Sequence, residues 1–446
     1  LQSAHVQGVA FQEVPVRAYP EETLAAHILG FLRPADGETG GEYGIEAGLD
    51  NVLKGEAGVS EAERDVAGRL ISVGEQSLVP VRHGADVVLT VDRIIQTMAE
   101  EVAKAGRTQF KADRAQVVVM DPETGALLAL AAYPTFDPNH PGAIREVGIY
   151  KNPVVSDLFE PGSVFKPLIM APALEDGLVE PDTTMEDKGP VRIGPYTINT
   201  YDGKHHGVVT MTEILEHSNN IGMVWVARRA GAERLYQFLR RMGIGDRSGV
   251  PLSGEAASSL PLPETWGESR TATVGFGQGI VTTPVQVLTA SAALVNGGRL
   301  LQPYLVKEIQ HQDGWTEVTK PTVIRQVIRP ETSTRLRAML VSVVEKGVAV
   351  RARVPGYYVG GKTGTAQVTD PATGRYSTED KIISFIGFAP ADDPAFIALI
   401  KLDNPAGLSF ASGTAAPMFS DLAKRVLEYL RVPPSRPEVT DPLRER

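Results

Sequence analysis

The chain of 446 residues contains no cysteine, which removes disulfides, thiolate zinc sites, iron–sulfur clusters and thiol nucleophiles from consideration. Any nucleophile must then be a hydroxyl, an amine or a carboxylate. No apolar stretch approaches the roughly 18 residues of a membrane span, and no signal-peptide pattern opens the chain. Basic excess is missing too, since 44 Lys and Arg stand against 54 Asp and Glu for a net charge of -10. Without a basic stripe to track phosphates, nucleic acid is not an expected partner. Aromatic residues make up only 6%, yet hydrophobic residues reach 42%, enough for a sizeable core in two or three domains. The first residue is Leu1, so the chain reads as a processed or trimmed fragment from which a leading anchor or targeting segment has been removed.

Residues 1 to 108 are rich in charge and glycine (GETGGEYGIEAG, 37–48) and read as an elongated support rather than a catalytic domain. Within them VVLTV at 87–91 has strand composition, and DRIIQTMAEEVAKA at 92–105 places Ile94, Ile95, Met98 and Val102 on one helical stripe. From 115 the pattern changes: AQVVVMD and ALLALAAY are apolar runs joined by Pro122-Glu123-Thr124-Gly125, a hairpin signal. A second hairpin is expected from IISFIGFA (382–389) and AFIALIKL (395–402). Between them the chain reads as mostly helical. Thr210 with Glu213 forms a capping box, Thr283-Pro284 opens a helix that stops at Asn296-Gly297-Gly298, and Met418, Phe419, Leu422, Val426 and Leu430 mark a last helix over 417–431. Strands at both ends of a helical middle imply an α+β domain built on an antiparallel sheet. The expected divisions are 1–108, 109–432, and a flexible tail at 433–446, where PPSRPEVTDPLRER is Pro-rich and charged.

Three short motifs carry chemistry. In EPGSVFKP (160–167), Pro167 is tolerated only in the first turn of a helix, so that helix starts close to Ser163. A hydroxyl at a helix N-terminus faces unsatisfied N–H groups and the positive end of the helix dipole, which favour developing negative charge. Lys166, one turn on, lies on the same face and as a neutral amine could take the serine's proton. Taken alone, S-x-x-K is more often a cap beside a solvated lysine. Here it is the only such spacing, and it is followed by the only S-x-N, Ser218-Asn219-Asn220, and the only K-[ST]-G, Lys362-Thr363-Gly364. Ser218 and Asn220 offer a hydroxyl and an amide for relaying a proton and holding a carbonyl. Thr363 and Thr365 flank Gly364 on a strand whose edge can pair with an extended peptide, beside the charge of Lys362.

This trio is known from penicillin-binding proteins and serine β-lactamases. With GIEAGLDNVLKGEAG (44–58), GADVVLTVDRIIQ (84–96), VVVMDPETGALLALAAYP (117–134), GFGQGIVTTPVQ (275–286) and FIGFAPADDP (385–394), the chain resembles class B penicillin-binding proteins over nearly its whole length. The resemblance implies the penicillin-binding transpeptidase or serine β-lactamase-like fold, with an extended N-terminal pedestal. It implies a peptidoglycan D,D-transpeptidase acting on stem peptides that end in D-Ala-D-Ala, inhibited by β-lactams, with no cofactor and no metal. Ser163 would be the acylated nucleophile, Lys166 its general base and Ser218 a proton shuttle. Asn220 would hold a substrate amide, Lys362, Thr363, Gly364 and Thr365 the substrate carboxylate, and the N–H groups of Ser163 and Thr365 the oxyanion. The resemblance further implies anchoring on the extracytoplasmic face of the cell membrane, by a helix absent from this chain, and a membrane glycosyltransferase partner. VPGYYVGGKTGTAQ is closer to the division subgroup than to the elongation subgroup. The alternatives are a serine β-lactamase or D,D-carboxypeptidase, and a non-catalytic penicillin sensor or scaffold.

One departure stands out: Pro172 falls inside the helix after Ser163, where it removes a backbone bond and is expected to kink it. His205-His206 reads as a solvated loop, and GFGQG as a loop beside the cleft rather than a nucleotide site.

Overall fold

Asp92 turns the chain from strand into helix. In the computed structural model, which describes residues 16–436 apart from 36–37, 64–70, 72–75, 195, 202, 370–375 and 408–409, its side chain accepts the N–H groups of Ile94 and Ile95 and starts α1 (Arg93–Phe110). The buried face of α1 runs through Ile95, Ala99, Val102, Ala103 and Phe110. Ile94, expected on that stripe, is 39% exposed, because the true stripe is centred one residue further round.

The two expected hairpins combine into one sheet. Strands β1 (Arg114–Met120) and β2 (Leu127–Tyr133) are joined by a turn in which Asp121 accepts from the N–H groups of Glu123 and Thr124. Strand β3 (Gly360–Thr369) carries the third motif, followed by β4 (Tyr376–Ala389) and β5 (Phe396–Asp403). The spatial order is β3-β4-β5-β1-β2, antiparallel throughout. Every residue of β1 from Ala115 to Met120 is buried, so helices must cover both faces of the sheet.

On one face lie α1 and, at the end of the chain, α6 (Ala415–Tyr429). The ring of Phe419 on α6 is fully buried between Phe385 and Phe396, with centroids 5.0 and 6.1 Å away. Leu430 is left 38% exposed, because the helix ends at Tyr429 before the stripe can turn inward again. The middle of the chain supplies the remaining cover. A single 3-10 turn, Gly162–Phe165, runs into α2 (Lys166–Glu175), whose residues are buried from Lys166 to Leu174. The helix continues through Pro172 as far as Glu175. The ring removes only the N–H that would have bonded to Leu168. Thr210 and Glu213 form the expected capping box ahead of α3 (Met211–Glu216), which a short turn joins to α4 (Asn220–Ala230). Thr283 and Gln286 likewise cap α5 (Pro284–Val295), which is buried along its whole length and ends at Asn296.

The N-terminal region consists of short paired strands and three short helices, Ala26–Leu29, Gly44–Gly48 and Asp50–Leu53, among the described residues. Asp86–Leu89 adds to Val306–Gln310, and a separate apolar cluster gathers Tyr19, Phe31, Phe136 and Tyr150. At the other end, residues 433–436 still belong to the folded body. Arg436 stacks over Tyr358 at 5.0 Å and pairs with Glu345 at 3.3 Å. The rest of the expected tail, 437–446, lies outside the described residues. Among the described residues no helix is long and apolar enough to cross a membrane.

Removing a ring enclosed by two others leaves a cavity that this sheet-to-helix layer cannot close. Phe419→Ala is expected to destabilise the domain by about 3–5 kcal/mol in equilibrium denaturation. A loss below about 1 kcal/mol would mean that α6 is not held by this packing.

Candidate active site

The first motif is held in place by backbone on two sides. Phe159 and Thr282 exchange two N–H to carbonyl bonds of 3.0 Å, and the N–H of Gly162 donates to the carbonyl of Gly277 at 3.0 Å. The GFGQG segment is therefore bonded directly to the turn that carries Ser163. Glycine is required at two contacts. A Cβ on Gly277 would lie 2.1 Å from the carbonyl oxygen of Gly162, and one on Gly364 would lie 2.4 Å from Ser384 Oγ and 2.9 Å from Val164 Cγ1. The serine turn thus rests against β3, the edge strand of the sheet.

Beneath that contact are two lysines that water does not reach. Lys166 is 0% and Lys362 1% exposed. Lys362 Nζ donates to Ser218 Oγ at 3.0 Å, and Lys166 Nζ lies 3.1 Å from the same oxygen. Lys166 also donates to the Ser218 carbonyl at 2.6 Å and to Asn220 Oδ1 at 2.8 Å. Lys362 donates in addition to the carbonyl and hydroxyl of Thr363, each at 3.1 Å. Among the described residues no hydrogen bond joins Lys166 to Ser163. The amine is turned toward the second motif. Burial, and next the charge of Lys362, push the Lys166 pKa well below the ordinary lysine value. Burial alone brings Lys362 down to about 7.

The turn between α3 and α4 presents Ser218 through an unusual backbone. Its φ is +51°, a left-handed conformation that costs a residue with a Cβ about 1 kcal/mol or more. Asn219, 0% exposed, holds the turn there. Its Oδ1 caps α4 by accepting the Gly222 N–H at 2.9 Å, and its Nδ2 donates to Asp187 Oδ2 at 2.8 Å. Asp187 also accepts the N–H groups of Gly189 and His206. Desolvation raises its pKa, but these bonds outweigh it and hold the carboxylate below its usual range. Asn220 completes the turn, donating from Nδ2 to the Asn199 carbonyl at 2.9 Å.

Above the lysines opens a cleft of about 490 Å³. Ser163, Ser218, Asn220, Thr363 and Thr365 line it, while Lys166 and Lys362 lie under its floor and Gly364 serves as the contact to the serine turn. Phe276 and Gln278 of GFGQG line it as expected, and Tyr201 meets Phe410 edge-on at its mouth, 5.5 Å between ring centres. Two residues escaped the sequence reading. Asp187 carried no local signal within TTMEDKG, and His206, expected in solvent, stacks on His217 at 4.5 Å.

Comparison with known proteins agrees with this geometry. The model of the penicillin-binding protein transpeptidase domain matches residues 115–424, and that of the penicillin-binding protein dimerisation domain matches residues 2–89. The chain is 35% identical over 449 residues to stage V sporulation protein D of Bacillus subtilis, covering 98% of this chain and 68% of that protein. It is 33% identical to the probable peptidoglycan D,D-transpeptidase PbpC of Pseudomonas aeruginosa, covering 94% of this chain and 71% of the relative. Penicillin-binding protein 3 from Mycobacterium tuberculosis, solved in complex with ampicillin, superposes with a TM-score of 0.83 at 34% identity, over 96% of this chain and 92% of that one.

The lysine pair can be titrated directly. With Cε-labelled lysine, NMR is expected to show Lys362 losing its proton near pH 7. Lys362→Met should move the Lys166 transition to higher pH, because the repelling charge is gone. A Lys166 transition that stays in place would exclude Lys362 as a cause of its shift.

Proposed function

The chain belongs to the penicillin-binding protein transpeptidase family, and on that premise we propose that it is a class B peptidoglycan D,D-transpeptidase working through an acyl-Ser163 intermediate. The observation that carries this reading is the convergence of two buried, charge-depleted lysines on the Ser218 hydroxyl, next to the helix-entrance serine in the cleft.

In this reading Ser163 Oγ attacks the carbonyl carbon of the terminal D-Ala-D-Ala bond and gives its proton to the Lys166 amine. The C–N bond breaks and the departing D-Ala nitrogen takes up a proton relayed through Ser218. An amine on a neighbouring strand then attacks the ester, loses its proton along the same route, and leaves a new amide with Ser163 restored. Lys166 can act as a base only when neutral. Its lowered pKa keeps a larger share of free amine at neutral pH than the ordinary value near ~10.4 would allow. The proton transfer needs Lys166 to exchange a bond with Ser218 or Asn220 for one with Ser163, a tightening common when substrate arrives. Lys362, Thr363 and Thr365 would hold the terminal carboxylate, and Asn220 would trade the Asn199 carbonyl for a substrate amide.

The substrate is wall polymer, so the working side of the protein is extracytoplasmic, and a glycosyltransferase must supply the strands being joined. Resemblance to the division subgroup sets the expected role. A hydrolase is the rival within this fold. It needs a group to activate water against the ester, and no Asp or Glu is among the described residues lining the cleft. The nearby carboxylates are engaged elsewhere. Glu160 accepts from the Gly279 N–H and the Tyr376 hydroxyl, and Asp187 holds Asn219.

Incubation with penicillin should therefore leave an adduct that maps to Ser163, is absent from Ser163→Ala, and persists for minutes to hours once free drug is removed. Intact mass over time decides it. Release of penicilloic acid within seconds would place the protein among the hydrolases.

A further inference from the structure

A second hollow of about 520 Å³ opens beside the catalytic cleft. Asn220, Phe276, Gln278 and Gln367 line both, so the two form one trough with that wall in common. Past the wall, the lining includes the exposed rings of Tyr196 and Tyr376 and the half-buried guanidinium of Arg270.

Arg270 is the only charged side chain among the described residues that line this hollow. Among the described residues its one side-chain hydrogen bond is a 3.5 Å contact to Thr265 Oγ1, at the outer limit of such bonds. Among the described residues no carboxylate pairs with it. The acidic groups around it are committed: Glu268 to Arg228 at 2.6 Å, and Glu160 to Tyr376 and Gly279. In a chain of net charge -10, a cation held beside a trough with no counter-ion among the described residues is arranged for an anion that comes from outside.

The direction of the donor peptide identifies that anion, and this step rests on the transpeptidase reading. With its terminal carboxylate near Lys362 and Thr363 and its scissile carbonyl at Ser163, a peptide paired antiparallel to β3 runs toward Gln367. Extended chain advances about 3.3 Å per residue, so residues roughly two or more positions before the scissile bond pass Gln367 and enter the second hollow. We propose that this hollow is a subsite for the upstream part of the donor peptide, in which Arg270 binds a carboxylate carried by that segment and Tyr196, Phe276 and Tyr376 cover its aliphatic portion.

The test compares two synthetic donors of equal length ending in D-Ala-D-Ala, one with a carboxylate at the upstream position and one with the carboxamide. Release of terminal D-Ala gives kcat/KM for each with the unaltered chain, Arg270→Lys and Arg270→Ala. The unaltered chain is expected to prefer the carboxylate by about tenfold, as for one charge-assisted bond in a partly desolvated site. Arg270→Lys should keep part of the preference and Arg270→Ala lose it. No preference in the unaltered chain, or an equal loss on both donors in Arg270→Ala, would overturn the subsite. Failure of the functional reading looks different: the unaltered chain would release D-Ala from neither donor and form no penicillin adduct on Ser163, and the subsite would fall with it.

Discussion

Two lysines forced to share one serine hydroxyl in a dry interior are the constraint around which the site is arranged. A single buried ammonium is costly, and two within reach of Ser218 Oγ repel each other as well, so the folded state resists holding both protons. The sign of the consequence for stability follows directly. Lys362 titrates near 7 when folded and near ~10.4 when unfolded, so between these values the unfolded chain binds the proton that the folded chain refuses. The pair therefore weakens the fold near neutral pH, and the loss is recovered as pH rises toward the unfolded value. In the proposed reading the fold accepts this cost for the sake of a reactive base, together with a left-handed Ser218. Asn219 and Asp187 are the restraint on the other side: one carboxylate, two residues removed from the chemistry, fixes the turn that both amines address.

The sheet supplies the second half of the arrangement. Among the described residues its edge strand β3 has no partner on the side that faces the cleft, while the opposite side is fixed residue by residue to β4, from Gly360 opposite Phe388 to Gln367 opposite Lys381. A free edge ordinarily invites aggregation, and here the serine turn and the GFGQG segment stand over part of it. A methyl group on Gly364 would strike the side chains of Ser384 and Val164, and one on Gly277 the Gly162 carbonyl, so the serine turn sits against the strand at a spacing that only glycine permits.

Much of this was legible in the residues, for identifiable reasons. The capping box at Thr210, the helix opening at Thr283-Pro284 and the hairpin at Asp121 are local chemistry, completed within a few residues, and they formed where expected. The motif trio was legible because each member is a short, unrepeated string. Errors came where periodicity had to be extended to an end: Ile94 and Leu430 lie just outside their helices' buried faces, since the first and last turns are set by caps and neighbours. At Pro172, where a kink was expected, α2 carries on to Glu175, in a segment whose side chains are buried from Lys166 to Leu174. Asp187 and Arg270 were illegible in principle. Asp187 matters through Asn219, 32 positions away, and Arg270 through the hollow it lines with Tyr196 and Tyr376, and nothing in TTMEDKG or GESRTAT distinguishes a supporting acid, or a cation with no carboxylate partner among the described residues, from ordinary surface charge.

The same placement of charge bears on why such a site would transfer an acyl group rather than hydrolyse it. Water needs a base near the ester carbonyl, and the carboxylates close enough to be considered are bound to Gly279, Tyr376 and Asn219, where they organise loops instead of solvent. An incoming amine needs less help, because it is already the stronger nucleophile and can surrender its proton to the lysine pair after attack. In the proposed reading, tying up the acids would handicap water selectively. Glu160, which accepts from Gly279 and Tyr376, forms no ion pair with Arg270 among the described residues, and in the proposed reading that cation in the neighbouring trough would be available to substrate.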